Sequence, residues 1–244
     1  MIALFYALEA EIRELKKAPG FNVLSSPGGN PLRANFKGRD LLLVATGVGK
    51  DLARQAAERT LREYPVSDVI STGFAGALNE KTRAGDVVIA LQIQPEQMEP
   101  GEHALPAAAS LALAARSVHR VDGFQILAGS GVTSNQVCAT PAAKRQLCSA
   151  FQADFVDMES YWIGRCAAAR QLPFITIRVV SDSVADDLSF IGQITAAGKV
   201  SPARTVRHFV THPGDVPRTV GLAGQMGKAG RNLAWFLDRL LVEI

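Results

Sequence analysis

The stretch Pro173-Phe174-Ile175-Thr176-Ile177-Arg178-Val179-Val180 is an almost unbroken β-branched run, closed by Ser181-Asp182. A strand apolar on both faces suits the interior of a mostly parallel sheet flanked by helices, not a half-exposed antiparallel one. Outward from it, residues 2–7, 40–46, 67–72, 85–92 and 124–129 read as further short apolar strands. Residues 73–76 read as a small-residue turn. Helical spacing marks residues 9–17, with Ile12 and Leu15 on one face, and 51–63, with Leu52, Ala56 and Leu61 inward after an Asp51 N-cap. Residues 103–116 and 159–170 are further helix candidates, and Thr140-Pro141 pairs a capping hydroxyl with proline at the first helical position. Residues 228–241 predict a closing helix with Leu233, Phe236, Leu237, Leu240 and Leu241 inward. With no internal repeat and no low-complexity linker, residues 1–244 are expected to form one α/β domain.

Composition narrows the function classes. With 48% hydrophobic and 20% charged residues, the chain of 244 residues reads as an ordinary globular protein. A chain of this size buries roughly 70–75% of its unfolded surface and needs no staples. The net charge of +3 comes without a basic run, which argues against nucleic-acid binding. Cys138, Cys148 and Cys166 form no CxxC pair, pointing to a reducing compartment. His208 and His212 are spaced as i,i+4 but have no carboxylate between them, so they are expected on the surface, away from any metal. The N-terminal segment reaches Glu9 without a basic leader, and no apolar stretch approaches the ~20 residues of a membrane span. The expectation is a cytoplasmic protein with no integral membrane segment.

Two glycine turns imitate phosphate loops. Gly47-Val48-Gly49-Lys50 has Val44 where the first P-loop glycine would stand and Asp51 where Ser or Thr must follow the lysine. Gly224-Gln225-Met226-Gly227-Lys228 is followed by Ala229 and fails in the same way. Both read as tight turns, although the first could still bring backbone N–H groups near an anion or a ribose. There is no GxSxG elbow for a serine hydrolase.

Acidic residues instead collect at the predicted strand ends: Glu9 and Glu11, Asp157 and Glu159, and Asp182. Ligands of open α/β sheets bind beyond the carboxyl ends of the strands. Asp182 directly follows the apolar run, where burial disfavours the ionised form, as a general acid requires. A helix-capping role is the plain alternative. In Val156-Asp157-Met158-Glu159-Ser160 a carboxylate suited to vicinal hydroxyls sits beside a thioether that could pack on a sugar face.

The order of the blocks adds what the single residues do not. Ala7-Leu8-Glu9-Ala10-Glu11, Thr46-Gly47-Val48-Gly49-Lys50, Ser71-Thr72-Gly73-Phe74-Ala75-Gly76, Gly85-Asp86-Val87-Val88, Val156-Asp157-Met158-Glu159 and Val180-Ser181-Asp182 resemble the nucleoside phosphorylase/nucleosidase superfamily. Within it the 5′-methylthioadenosine/S-adenosylhomocysteine nucleosidase branch is the closest look-alike, in register from residue 1 to about 190. The resemblance implies a three-layer αβα sandwich with a mixed central sheet, a small-molecule nucleoside substrate, no cofactor, no metal, and a homodimer or higher homo-oligomer. It implies Asp182 as the acid at purine N7, supported by Ser181, and Glu159 on the ribose hydroxyls with Met158 against the sugar. It implies Glu11 as the base that activates water, and Gln136 and Val137 beside the purine.

Phosphorylases of the superfamily hold phosphate with arginines and a serine near the central glycine turn. The turn 71–76 carries no basic residue, which favours water as the nucleophile. Lys50 or Arg13 could still reach in. Phe74 stands where the nucleosidases place a serine, which implies a more apolar pocket. The alternatives are a hopanoid-associated phosphorylase releasing adenine from an adenosyl-lipid, a purine nucleoside phosphorylase, a futalosine-type nucleosidase, or a non-catalytic nucleoside-binding protein. Residues 190–217 are expected to form a substrate-facing flap.

Overall fold

In the computed structural model, which describes residues 1–25, 30–119, 123–189, 195–196, 199–200 and 215–244, β1 (Ile2–Tyr6) is buried along its whole length. Ile2, Leu4 and Tyr6 point into one apolar layer and Ala3 and Phe5 into the other, which is why the sequence runs apolar rather than alternating. β4 (Arg39–Ala45) and β5 (Asp68–Ala77) flank β1 in parallel. Beyond β4, β3 (Leu32–Phe36) and β2 (Phe21–Ser25) extend the sheet antiparallel.

On the other side, β10 (Phe174–Asp182) lies parallel to β5 and antiparallel to β6 (Val87–Pro95), with every residue buried. β8 (Ile126–Thr133) follows in parallel to β6, and the short β7 (Leu105–Pro106) pairs with β6 as well. β9 (Phe155–Asp157) lies parallel to β8 and returns antiparallel to β5. The sheet is therefore mixed, and β5, β10, β6, β8 and β9 close on themselves as a small ring.

Helices cover both faces, completing the αβα sandwich. α1 (Glu9–Lys16), α3 (Ala109–Ser117) and α6 (Asp215–Glu243) bury one apolar layer; α2 (Lys50–Glu63) and α5 (Ser160–Ala168) bury the other. Leu233, Phe236, Leu237, Leu240 and Leu241 of α6 are all fully buried, as the spacing predicts. α4 (Pro141–Phe151) packs Leu147 against Val132 and Val156, and Thr140 Oγ1 accepts from the Ala143 amide at 3.2 Å as its cap. β11 (Thr195–Ala196) and β12 (Lys199–Val200) form a separate hairpin. Among the described residues no helix is long and apolar enough to cross a membrane.

Several local expectations are corrected. Residues 73–76 are not a turn but the second half of β5, because β10 pairs with them. Asp51 sits inside the first turn of α2, whose N-cap is Gly49, and Leu52 is exposed while Ala53, Ala56 and Ala57 face inward. The helix expected over 103–116 starts only at Ala109, since residues 105–106 are drawn into β7. The closing helix begins earlier than expected, at Asp215. His208 and His212 lie outside the described residues, as does most of the expected flap.

Glycine at 131 is a packing requirement. A Cβ there would collide with Phe155 Cζ and stand 2.6 Å from Ile93 Cδ1, in the apolar layer that α5 covers. Gly131→Ala should therefore destabilise the protein by about 1–3 kcal/mol, read as a lower urea midpoint at unchanged m-value. A midpoint equal to the parent's would mean that Phe155 and Ile93 repack freely.

Candidate active site

The fork of β5 creates the site. β1 pairs with its first residues, Asp68 to Ser71, while β9 pairs with its last, Gly76 and Ala77, leaving Thr72–Ala75 without a neighbour on that side. Backbone N–H groups freed inside a protein must find acceptors. The Phe74 amide donates to Glu11 Oε1 at 2.9 Å. The other oxygen of Glu11 accepts from the amides of Ala7 and Leu8, at 2.7 and 2.9 Å, at the start of α1. The Glu11 carboxylate is thus fixed by three backbone donors from two elements.

Glu159 is the N-cap residue of α5, following β9. Its Oε1 accepts from the Gly49 amide at 2.8 Å. The Gly47-Val48-Gly49 turn, with Gly49 at φ +98°, therefore presents an N–H to an anion after all: the carboxylate of Glu159.

Asp182 ends β10 at a register shift, where the pairing moves from Val180↔Ala75 to Asp182↔Gly76. This bulge lets the consecutive side chains of Ser181 and Asp182 face the same cleft, which a regular strand would forbid. Ser181 Oγ donates to Asp182 Oδ1 at 2.7 Å and has the Ala75 carbonyl as a second acceptor at 3.3 Å.

Asp182, Glu11, Glu159, Met158, Ser181, Phe74, Gln136 and Val137 all line one cleft of about 230 Å³, whereas Glu9 is exposed and pairs with Lys16 at 2.8 Å. Leu8, Val48, Leu188, Leu222 and Met226 complete an apolar wall. Lys50 and Arg13 do not line it. The Lys50 ammonium lies 4.0 Å from the centre of the Trp162 ring and 3.6 Å from Glu99, in a separate surface cleft, and Arg13 is exposed. Among the described residues no three His, Cys, Asp or Glu side chains gather as metal ligands.

Two buried cations went unrecognised in the sequence. Arg178 sits mid-strand in β10 directly across from Gly73, so the central segment of β5 does have a basic residue against it. Its Nε donates to Asp157 Oδ2 at 2.8 Å, and its Nη2 to Ser160 Oγ at 2.8 Å and Ser71 Oγ at 3.1 Å. Glu159 Oε2 lies 3.9 Å from Nη2. Gly73, at φ +145°, leaves the necessary room: a Cβ there would stand 2.5 Å from both Arg178 Nη1 and Glu11 Oε1. A charged residue within an otherwise apolar strand was the signal for it. Lys144 is fully buried on α4, and its Nζ donates to Asp182 Oδ2 at 2.6 Å, the Ser183 carbonyl at 2.7 Å and the Asp186 carbonyl at 3.2 Å. The sequence places Asp182 at the edge of a dry core, and in the structure its carboxylate meets an ammonium there. Nothing in its helical spacing distinguishes Lys144 from a surface lysine.

Burial dominates the electrostatics of the paired carboxylates. It raises Glu11 above the ordinary range, against the pull of Arg178 and three amides. It pushes Glu159 up to about 7, with Arg178 opposing and Asp157 adding to the rise. Burial disfavours the charge on Arg178, but Asp157, Glu159 and Glu11 together hold it above its usual value.

A carboxyl whose folded value is raised binds its proton more tightly in the folded state. The stability contributed by Glu159 is therefore complete below its ordinary 4.5 and is lost as the pH rises to about 7. Urea midpoints between pH 4.5 and 8 should fall more in the parent than in Glu159→Gln. Parallel slopes for the two proteins would contradict the burial argument.

Comparison with known proteins fits this architecture. The phosphorylase superfamily model matches residues 2–211. The 5′-methylthioadenosine/S-adenosylhomocysteine nucleosidase of Tolumonas auensis is 28% identical over 196 residues, covering 74% of this chain and 85% of the relative. The nucleosidase of the same name from Bacillus thuringiensis is 26% identical over 198 residues, with the same coverage. Among solved structures, the corresponding nucleosidase of Neisseria meningitidis, in complex with methylthio-immucillin-A, superposes with a TM-score of 0.78 at 20% identity, covering 100% of this chain and 99% of that one. Futalosine hydrolase of Helicobacter pylori reaches 0.79 at 16% identity, covering 100% and 97%. With its mixed sheet, forked central strand and cleft of buried carboxylates, this chain belongs to the phosphorylase superfamily.

Proposed function

We propose that this protein is a purine-nucleoside N-ribosidase that cleaves the glycosidic bond by attack of water. The observation that carries the reading is the convergence of Glu11, Glu159 and Asp182, borne on α1, the N-terminus of α5 and the end of β10, around one cleft. Asp182 gives its proton to N7 of the departing purine as the C1′–N9 electron pair moves into the base. Glu159, as the anion, takes hydrogen bonds from the ribose 2′- and 3′-hydroxyls and offsets the oxocarbenium-like charge, with Met158 against the sugar. Glu11 holds the attacking water and accepts its proton as the bond to C1′ forms. Gln136 and Val137 border the base, and Phe74 borders the sugar. Fixed charges of this kind are already oriented when the charge develops, so they lower the barrier without reorganisation.

The position of Arg178 supports water over phosphate. Its Nε and Nη2 are already hydrogen-bonded to Asp157, Ser71 and Ser160, and it faces two further carboxylates. A phosphate dianion entering there would meet uncompensated negative charge rather than a free guanidinium. The substrate class best suited is a 5′-substituted adenosine such as 5′-methylthioadenosine, the compound in the names of the relatives. Phe74, Leu188, Leu222 and Met226 make the wall apolar enough to favour a second reading, an adenosine carrying a lipid at its 5′ position. We further propose one domain over the whole chain, a cytoplasmic setting, supported by the free cysteines Cys138, Cys148 and Cys166, and a homodimer, supported by the partly exposed Leu8, Val48 and Val137 beside the cleft.

A panel of nucleosides assayed with and without phosphate tests the reading. Free base together with ribose is expected, at a rate independent of phosphate; ribose 1-phosphate as the product would overturn the choice of water. Asp182→Asn should retain ligand binding and lose about 10²–10⁴ in kcat. Parental turnover in that variant would remove Asp182 as the acid. Glu11→Gln should abolish hydrolysis while leaving nucleoside affinity within a small factor, as measured by calorimetry.

A further inference from the structure

Lys144 stands outside the proposed catalytic set, yet it is fully buried and all three of its ammonium protons have acceptors. Only one acceptor, Asp182 Oδ2, is charged; the others are the carbonyls of Ser183 and Asp186. Those carbonyls belong to the turn after β10, which Asp186 closes by accepting from the Ser183 amide at 2.7 Å. Withdrawing an ammonium from water is costly, and an apolar side chain of similar volume would serve stability as well. With no donor left for a substrate, whatever Lys144 does for the reaction passes through Asp182 and the turn that follows it.

We propose that Lys144 is a positioning residue for glycosidic cleavage, fixing the Asp182 carboxyl so that Oδ1 alone carries the proton delivered to the leaving base. The inference rests on the nucleosidase reading above. An ammonium has no lone pair, so the oxygen 2.6 Å from Nζ is held as an acceptor and the transferable proton belongs on the other. Ser181 accommodates both states of Oδ1: its hydroxyl donates to the carboxylate at 2.7 Å, or turns to the Ala75 carbonyl when Oδ1 is protonated. Oδ1 takes up a proton from solvent in each cycle; as that proton passes to N7 and the C1′–N9 pair enters the purine, Asp182 returns to the anion that faces the Lys144 cation. The interaction with Lys144 therefore strengthens toward the transition state, which is the condition for raising kcat rather than tightening binding.

The test compares leaving groups. Lys144→Met should lower kcat for the nucleoside by about 10²-fold with KM little changed. It should alter cleavage of 4-nitrophenyl β-D-ribofuranoside, whose phenolate leaves without a proton, by no more than about twofold. In an Asp182→Asn background the added Lys144→Met should change nucleoside cleavage by no more than about twofold. Should the methionine variant fail to fold, Lys144→Gln, which keeps a donor, is put through the same comparison. Equal losses on both substrates, multiplying losses in the double variant, or parental nucleoside turnover in the single variant would each overturn the proposal. A parent protein that releases base from no nucleoside would instead remove the nucleosidase reading, and the proposal with it.

Discussion

The guanidinium of Arg178 is the point on which the site's architecture depends. It is carried by β10, the strand between β5 and β6, and is almost completely withdrawn from water. An arginine in that position costs several kcal/mol of desolvation unless its donors are met. The surrounding sequence answers that demand: Asp157 from β9, Ser160 from α5 and Ser71 from β5 all bond to it. Gly73 exists as glycine because a side chain would displace this guanidinium and the Glu11 carboxylate together. Of the elements that meet at Arg178, α5 carries Glu159 at its N-terminus and β5 holds Glu11 through the Phe74 amide, so the ion-pair network and the site geometry are one construction.

The end of the cleft at Asp182 is built by a separate device. Asp182 has no contact with Arg178 among the hydrogen bonds of the described residues and pairs with Lys144 of α4 instead. The cleft is thus divided electrostatically: around Arg178 carboxylates are in excess, and at Asp182 one carboxylate is matched by one ammonium. Burial, with Asp157 adding to it, pushes Glu159 up to about 7 against the pull of Arg178, while Asp182 is held by Lys144 at 2.6 Å. Both arrangements follow from burial, with opposite stoichiometry of charge.

Much of the fold was legible because buried parallel strands leave a strong trace. The β10 run, the apolar face of α6 and the Thr140-Pro141 cap each follow from local physics, and the structure carries all three. Residues 73–76 misled because glycines that make room for a neighbour look, in sequence, like glycines that make a turn. Leu52 misled because tertiary packing placed alanines, not the larger residue, against the sheet. The carboxylates could be found because strand ends are where ligands bind. Their counter-cations were harder to see. Arg178 left an anomaly in an apolar run, whereas Lys144 left none, since its meaning lies wholly in a contact with a residue remote in the chain.

The position of β10 also bears on how the chain reaches its native state. β5 and β6 leave the ribosome about a hundred and about eighty residues, respectively, before the strand that will lie between them. Until Phe174–Asp182 is made, both present unpaired edges across an empty slot. Pairings of such long sequence separation are slow to form and expose backbone that other chains can capture. Arg178 and Asp182 travel on that late strand, so their ion pairs with Asp157 and Lys144 can form only once the slot is filled. The cleft is therefore a late product of folding, and misfolding at this insertion would abolish it even with most of the remaining sheet already assembled.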